Sequence, residues 1–89
     1  MTNIEKSIKE IESKDHFNYL VGMSYRWDNE KKYEDFADYE KNIKAEMNYL
    51  DIQKVSKRPF GIIFNVGENV VKAVFKKRGN ALNLEVTYT

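Results

Sequence analysis

Residues 60–66, with the sequence Phe-Gly-Ile-Ile-Phe-Asn-Val, begin the part of the chain that decides the fold. Two further segments rich in β-branched, leucine or aromatic side chains follow at 70–77 and 81–88, and this composition is typical of strands. The connections at 67–69 and 78–80 each contain a glycine and an asparagine, as tight β-hairpins commonly do. The sequence therefore predicts an antiparallel meander of three strands at the C-terminus.

A helix and a further strand are predicted ahead of the meander. Three isoleucines at spacings of four and three residues indicate a helix over about residues 3–13. From Phe17 to Trp27 apolar side chains occupy the odd positions and polar or small ones the even positions, with Leu20 as the exception. This alternation predicts a strand over residues 17–27.

A second, longer helix is predicted over about residues 30–53. Asp28 and Asn29 supply side chains that cap helices, and Pro59 prevents the helix from continuing into the meander. The apolar stripe of this helix consists of Tyr33, Phe36, Ile43, Met47 and Leu50. A break near residues 38–40, which would give two shorter helices, is the main alternative.

The expected fold class is α+β, in one domain that spans residues 1–89. In chain order the elements are a helix, a strand, a helix and three strands. A helix between the first two strands is a crossover connection, which makes those strands parallel and the connection right-handed. We therefore expect two helices packed on one face of a four-stranded mixed sheet that ends in the antiparallel meander.

Composition excludes several classes of protein. The 89 residues include 15 basic and 14 acidic side chains, a net charge of +1, and no cysteine, which excludes disulfide scaffolds, thiolate metal sites and cysteine nucleophiles. No apolar run approaches the roughly 18 residues of a membrane helix, and the charged N-terminus is unlike a secretory signal. We expect a cytoplasmic protein that is a complete small gene product. The abundance of residues with AT-rich codons suggests a genome of low GC content.

Residues with catalytic chemistry are few. His16 is the single histidine, and the sequence nominates no partner that would make it a general base. The acidic run over residues 28–40 lacks the glycine and the regular alternation of a calcium loop, and no glycine-rich loop precedes a helix. The sequence favours a surface histidine in a protein that is not an enzyme and has no metal or cofactor. An enzyme that uses carboxylates and His16 is the weaker alternative.

Charge is distributed unevenly along the chain. Residues 1–50 carry 8 basic and 11 acidic side chains, whereas residues 51–89 carry 7 basic and 3 acidic ones. Two oppositely charged layers that attract each other are one interpretation, and a basic patch for nucleic acid or an acidic protein is the other. The patch would consist of Lys54, Lys57, Arg58, Lys77 and Arg78. Because strand alternation places the meander phenylalanines in the core, where they cannot stack on bases, nucleic acid is the less favoured partner.

Both faces of the predicted meander are apolar. Side chains alternate along a strand, so one set faces the helices and the other faces outward. The outward set contains a β-branched patch bordered by two lysines: Ile63, Val70, Val74, Lys72 and Lys76. A contiguous apolar patch flanked by charge is typical of a contact surface. We predict that it binds a partner protein or a second copy of the chain, with coverage by the first helix and simple exposure as alternatives.

The segment Tyr25-Arg26-Trp27 is a further candidate, because these three residue types are enriched in binding hot spots. Both aromatic residues belong to the apolar set of the predicted strand, so a core position is the favoured interpretation for them.

The functional class expected from these observations is a small non-enzymatic protein that acts by protein–protein contact. Small size, missing catalytic residues and low-GC composition suggest a phage or mobile-element inhibitor of a host enzyme, such as a defence nuclease. The alternative is a nucleic-acid-associated accessory protein that uses the basic meander.

Overall fold

A computed structural model describes residues 3–30 and 35–89 and confirms the α+β class. Three helices precede a four-stranded sheet. The elements are α1 (Asn3–Ser13), α2 (His16–Glu30), α3 (Phe36–Glu46), β1 (Asp51–Lys57), β2 (Phe60–Val66), β3 (Asn69–Arg78) and β4 (Ala81–Tyr88). Tyr33 of the predicted apolar stripe lies outside the described residues.

The predicted C-terminal meander is confirmed. β2, β3 and β4 pair antiparallel in sequence order. Gly67 and Gly79 adopt positive φ angles of 60° and 65°, which glycine allows at the first central position of a two-residue hairpin turn. Each turn joins two directly paired residues through only two intervening residues, so the two turns fix the register of all three strands.

The strand predicted over residues 17–27 is wrong, because this segment belongs to helix α2. The buried side chains of α2 are His16, Leu20 and Ser24, and residues four apart lie on one face of a helix. Leu20, the exception to the strand pattern, is at the centre of that face. Most of the alternating apolar residues lie on its flanks and are only partly buried.

The helix predicted over residues 30–53 is wrong at both ends. α3 begins at Phe36, where the Asp35 carboxylate accepts a hydrogen bond from a backbone N–H of the first turn at 3.1 Å. It ends before Met47, and the chain then enters strand β1. The alternative break at 38–40 is wrong as well, since these residues lie inside α3.

The sheet is antiparallel throughout, in the order β1-β2-β3-β4, so the predicted mixed sheet is wrong. Strand β1 follows the three helices, and only Arg58 and Pro59 separate it from β2. A connection this short joins antiparallel neighbours, whereas a parallel pair needs a crossover. The predicted helix count of two is also wrong, because the segment predicted as the first strand is helix α2.

All three helices contribute side chains to one core on a single face of the sheet, called the inner face below. The helices supply Ile11, Leu20 and Ile43 to this core, and Met47 follows α3 directly. The strands supply Val55, Phe60, Ile62, Phe64, Val71, Ala73 and Phe75. The opposite face, called the outer face, contributes no side chain to this core in the described part of the chain.

Two glycines test this architecture, because the same substitution should have opposite effects at them. At Gly22, within α2, an added Cβ would meet nothing within 4 Å, so Gly22→Ala should stabilise the protein by about 0.5–1 kcal/mol. At Gly61 an added Cβ would overlap the backbone of Ala73 and Val74, so Gly61→Ala should be strongly destabilising. Urea unfolding measures both effects, and a reversed order of stability would contradict the fold.

Candidate protein-binding site

The outer face brings together the residues of the predicted contact patch. Directly opposite residues of an antiparallel pair share one face of the sheet, and Ile63 is opposite Lys72 in the β2–β3 register. Alternation along β3 then places Val70, Val74 and Lys76 on the same side as Lys72. The patch therefore exists as one surface built from two adjacent strands.

The first helix does not cover this patch. Ile11 of α1 belongs to the core on the inner face. Ile4 and Ile8 of α1 pack against the same core, which contains none of the outer-face side chains Ile63, Val70 and Val74. The outer patch is thus a second apolar surface, separate from the core.

The three apolar side chains of the patch differ in exposure. Val70 is 37% exposed and Ile63 is half-buried, whereas Val74 is only 5% exposed. The Val74 side chain lies over the Gly61 backbone, and the surrounding side chains line the same shallow cavity as Val74: Pro59, Lys72, Lys76, Glu85 and Thr87. Ile63 and Val70 therefore provide the accessible apolar area, and Val74 supports them.

Lysines give the outer face a positive balance of charge. Lys54, Lys72 and Lys76 lie on it, together with the carboxylates of Asp51 and Glu85. Lys76 forms an ion pair with Glu85, with 3.3 Å between Nζ and Oε2. Ile63 is opposite Lys54 on one neighbouring strand and opposite Lys72 on the other, so an apolar centre lies between two ammonium groups.

The structure also brings together most of the predicted basic patch. Lys57 and Arg58 lie at the β1–β2 turn, and Lys77 and Arg78 lie at the β3–β4 turn. The register places both turns at the same end of the sheet. Four of the five cations therefore lie at this end, and a shallow groove connects Lys54, in the middle of β1, with Lys57 and Arg58.

His16 is not the surface histidine that the sequence favoured. It is 9% exposed, and its ring stacks on Tyr49 with 5.5 Å between the centroids. Its Nδ1 lies 2.8 Å from the Tyr49 hydroxyl, and its Nε2 lies 3.5 Å from Oε1 of Glu46. Because a carboxylate only accepts, a proton on Nε2 is directed at Glu46, and a neutral ring in that tautomer accepts the Tyr49 hydroxyl proton at Nδ1. Sequence spacing does not reveal this pair, because 33 positions separate the two residues.

The surroundings of His16 favour a structural role. Burial, and secondly the charge of Glu10, raises the pKa of Tyr49 to about 12. Burial, and secondly the charge of Glu46, also raises the pKa of Tyr19. Both phenols stay protonated near neutral pH, so neither is an activated base. The cluster ties the start of α2 to the segment that follows α3.

The Tyr25–Trp27 segment is divided between surface and core. Trp27 packs in an aromatic cluster, with ring centroids 4.8 Å from Phe36 and 5.5 Å from Tyr39. Tyr25 is 43% exposed, so the expected core position is wrong for this residue. The reason is geometric, because residues two apart share a face in a strand but lie on different sides of a helix.

Comparison with known proteins gives no match to a family model, to a curated protein or to a solved structure. Within residues 3–30 and 35–89, no helix is long and apolar enough to cross a membrane. The same residues contain no group of three or more His, Cys, Asp or Glu side chains placed to hold a metal ion.

The burial difference within the patch predicts different costs for the same substitution. Val74→Glu should lower the free energy of unfolding by about 1–3 kcal/mol, because it introduces a carboxylate at a buried position beside Gly61. Val70→Glu should change it by about 0.5 kcal/mol or less, because that side chain is exposed. Equal losses for the two variants in urea unfolding would contradict the assigned geometry.

The pKa of Tyr49 predicts a loss of stability at alkaline pH. The folded-state pKa lies above the ordinary value of 10.0, so the folded state retains its proton more strongly than the unfolded state. The resulting stabilisation is complete below about pH 10 and is lost as the pH rises towards 12. Tyr49→Phe should lower stability near neutral pH by about 1 kcal/mol through the lost hydrogen bond. The free energy of unfolding of Tyr49→Phe, measured by urea unfolding, should also decline less steeply above pH 10 than that of wild type. Parallel pH dependences of the two proteins would contradict the assigned pKa shift.

Proposed function

We propose that this protein acts by binding another protein through the outer face of its sheet, without catalysing a reaction. The observation that carries the proposal is the uncovered patch of Ile63 and Val70, supported by Val74. Single apolar side chains are ordinary on protein surfaces. A contiguous β-branched cluster with a charged border is more typical of an interaction site.

The partner that fits this face is a protein with an apolar centre and an acidic border. Apolar groups of the partner would cover Ile63 and Val70, while its carboxylates would meet Lys54 and Lys72 on either side. Lys76 is already paired with Glu85, so it contributes less free charge. Opposite charges around an interface steer association and disfavour wrong partners.

The setting proposed for this contact is inhibition of a host enzyme, such as a defence nuclease, by a phage or mobile-element protein in the cytoplasm. The support for the setting is compositional: a chain of 89 residues without cysteine and with abundant lysine, asparagine and isoleucine. Inhibition by surface contact needs no catalytic group in the inhibitor, which agrees with the structural role assigned to His16.

One observation favours a second candidate, a nucleic-acid-associated accessory protein. Lys57, Arg58, Lys77 and Arg78 converge from two turns at one end of the sheet, and such clusters bind phosphate. The strand aromatics near this end, however, are buried in the core, where they cannot stack on bases. Protein contact is therefore the preferred function.

Comparative capture from an extract of the source cell tests the preferred function. Tagged wild type, Val70→Glu and Lys72→Glu should be compared with Lys41→Glu, a matched charge reversal on the exposed side of α3. A partner of the outer face should be held by wild type and the control and lost by both patch variants. With that partner purified, Val70→Glu should weaken binding about tenfold or more, the effect of removing an interface anchor.

The control measurements are thermal melts, which show that each variant is folded, and binding of labelled DNA and RNA at low and high salt. Undiminished capture by Val70→Glu and Lys72→Glu would overturn the proposal. Nucleic-acid binding that weakens steeply with salt and disappears when Lys57, Arg58, Lys77 and Arg78 are neutralised would favour the second candidate instead.

A further inference from the structure

Strand β4 forms an open edge of the sheet. It is the last strand in the order and pairs with β3 alone. Within the described residues, no backbone hydrogen bond joins its other side to another segment. The strand runs from Ala81 to Tyr88 without proline, glycine or a register shift. Natural sheets commonly protect their edges with proline or β-bulges, because a long regular edge is a template for another strand.

The hydrogen-bond pattern shows which backbone groups are free at this edge. The Thr89 N–H donates to the Val70 carbonyl at 3.2 Å, and these two residues continue the β3–β4 register. Hydrogen-bonded positions alternate along an antiparallel pair. The groups directed away from β3 therefore belong to Leu82, Leu84, Val86 and Tyr88.

The hydrophobic core is also incomplete along β4. Leu82 and Leu84 pack against the core but are only partly buried, and Tyr88 is 62% exposed. Beside them, a groove between α1 and β4 is lined by apolar side chains of both elements together with three charged residues of α1: Ile4, Ile8, Val86, Tyr88, Glu5, Lys9 and Glu12. A strand added at this edge would satisfy the free backbone groups and shield these side chains.

A second copy of β4 fits this edge in one particular register. Two copies of β4 can pair antiparallel so that their outer faces lie on the same side of the joined sheet. Among the registers that do this, the two with the most paired residues are centred on Leu84 and on Glu85. Centring on Glu85 places two carboxylates opposite each other, which is destabilising. Centring on Leu84 places each Glu85 opposite Asn83 of the other copy. Asn83 is opposite Lys76 within its own copy, and Lys76 is paired with Glu85 of that copy. Each Glu85 therefore meets a neutral amide beside an existing ion pair instead of a second carboxylate.

We propose that two copies of this chain associate through β4, antiparallel and centred on Leu84, so that their sheets form one continuous sheet. Leu84 would exchange backbone hydrogen bonds with its counterpart, and Leu82 would do so with Val86 of the second copy. The two-fold axis is perpendicular to the sheet, so both outer faces lie on the same side and stay accessible. This proposal does not depend on the function proposed for the outer face.

Position 83 gives a test in which dimer and monomer respond in opposite directions. Asn83→Glu places a carboxylate opposite Glu85 of the second copy but opposite Lys76 within its own chain. It should raise the dimer dissociation constant about tenfold, since the like-charge contact occurs twice, without lowering the melting temperature of the monomer. Asn83→Lys should tighten the dimer and slightly lower that melting temperature. Asn42→Glu, on the exposed side of α3, is the matched control and should change neither.

Sedimentation velocity of the full chain from micromolar to millimolar concentration gives the dissociation constants. Amide hydrogen exchange should show concentration-dependent protection at Leu82, Leu84 and Val86. A wild type that stays monomeric over this range would overturn the proposal, as would a dimer that Asn83→Glu leaves unchanged. A dimer that is broken by Val70→Glu and not by Asn83→Glu would place self-association on the outer face and refute the β4 edge.

Discussion

The two-residue turns at Gly67 and Gly79 are the constraint on which the rest of the structure depends. Their positive φ angles allow hairpin connections of only two residues, which fix the strand register. A register shift of one residue would exchange the two faces of a strand. With the register fixed, Ile62, Phe64 and Phe75 face the helices. The same constraint leaves Ile63 and Val70 outside the core, and so creates the second apolar surface.

The meander could be predicted from sequence because its information is local. Strand composition and turn residues lie within a few positions of each other, and the outward assignment of Ile63 follows from alternation alone. The isoleucine spacing also predicted α1, which spans Asn3–Ser13. Helix α2 could not be predicted, since the pattern over 17–27 suits a strand in every position except Leu20. That one residue is the signal for α2: it lies four residues from both His16 and Ser24, which are buried with it.

The residues of the outer face could be predicted from the sequence, but the burial of each side chain could not. Alternation identifies Val74 as an outer-face residue, yet its burial depends on how it packs over the Gly61 backbone and among the longer side chains of the neighbouring positions. The pairing of His16 with Tyr49 depends on how α2 meets the segment after α3, which no local pattern encodes. The convergence of cations from two turns likewise requires the register of all four strands.

The contact proposed for the outer face and the association proposed for the β4 edge use different parts of the sheet. The central claim concerns the outer face, and lysine acetylation footprinting of the partner complex tests it most directly. The account predicts that Lys54 and Lys72 become protected in the complex, while Lys41 on α3 reacts as in the free protein. Protection of Lys41 with full reactivity of Lys54 and Lys72 would contradict it.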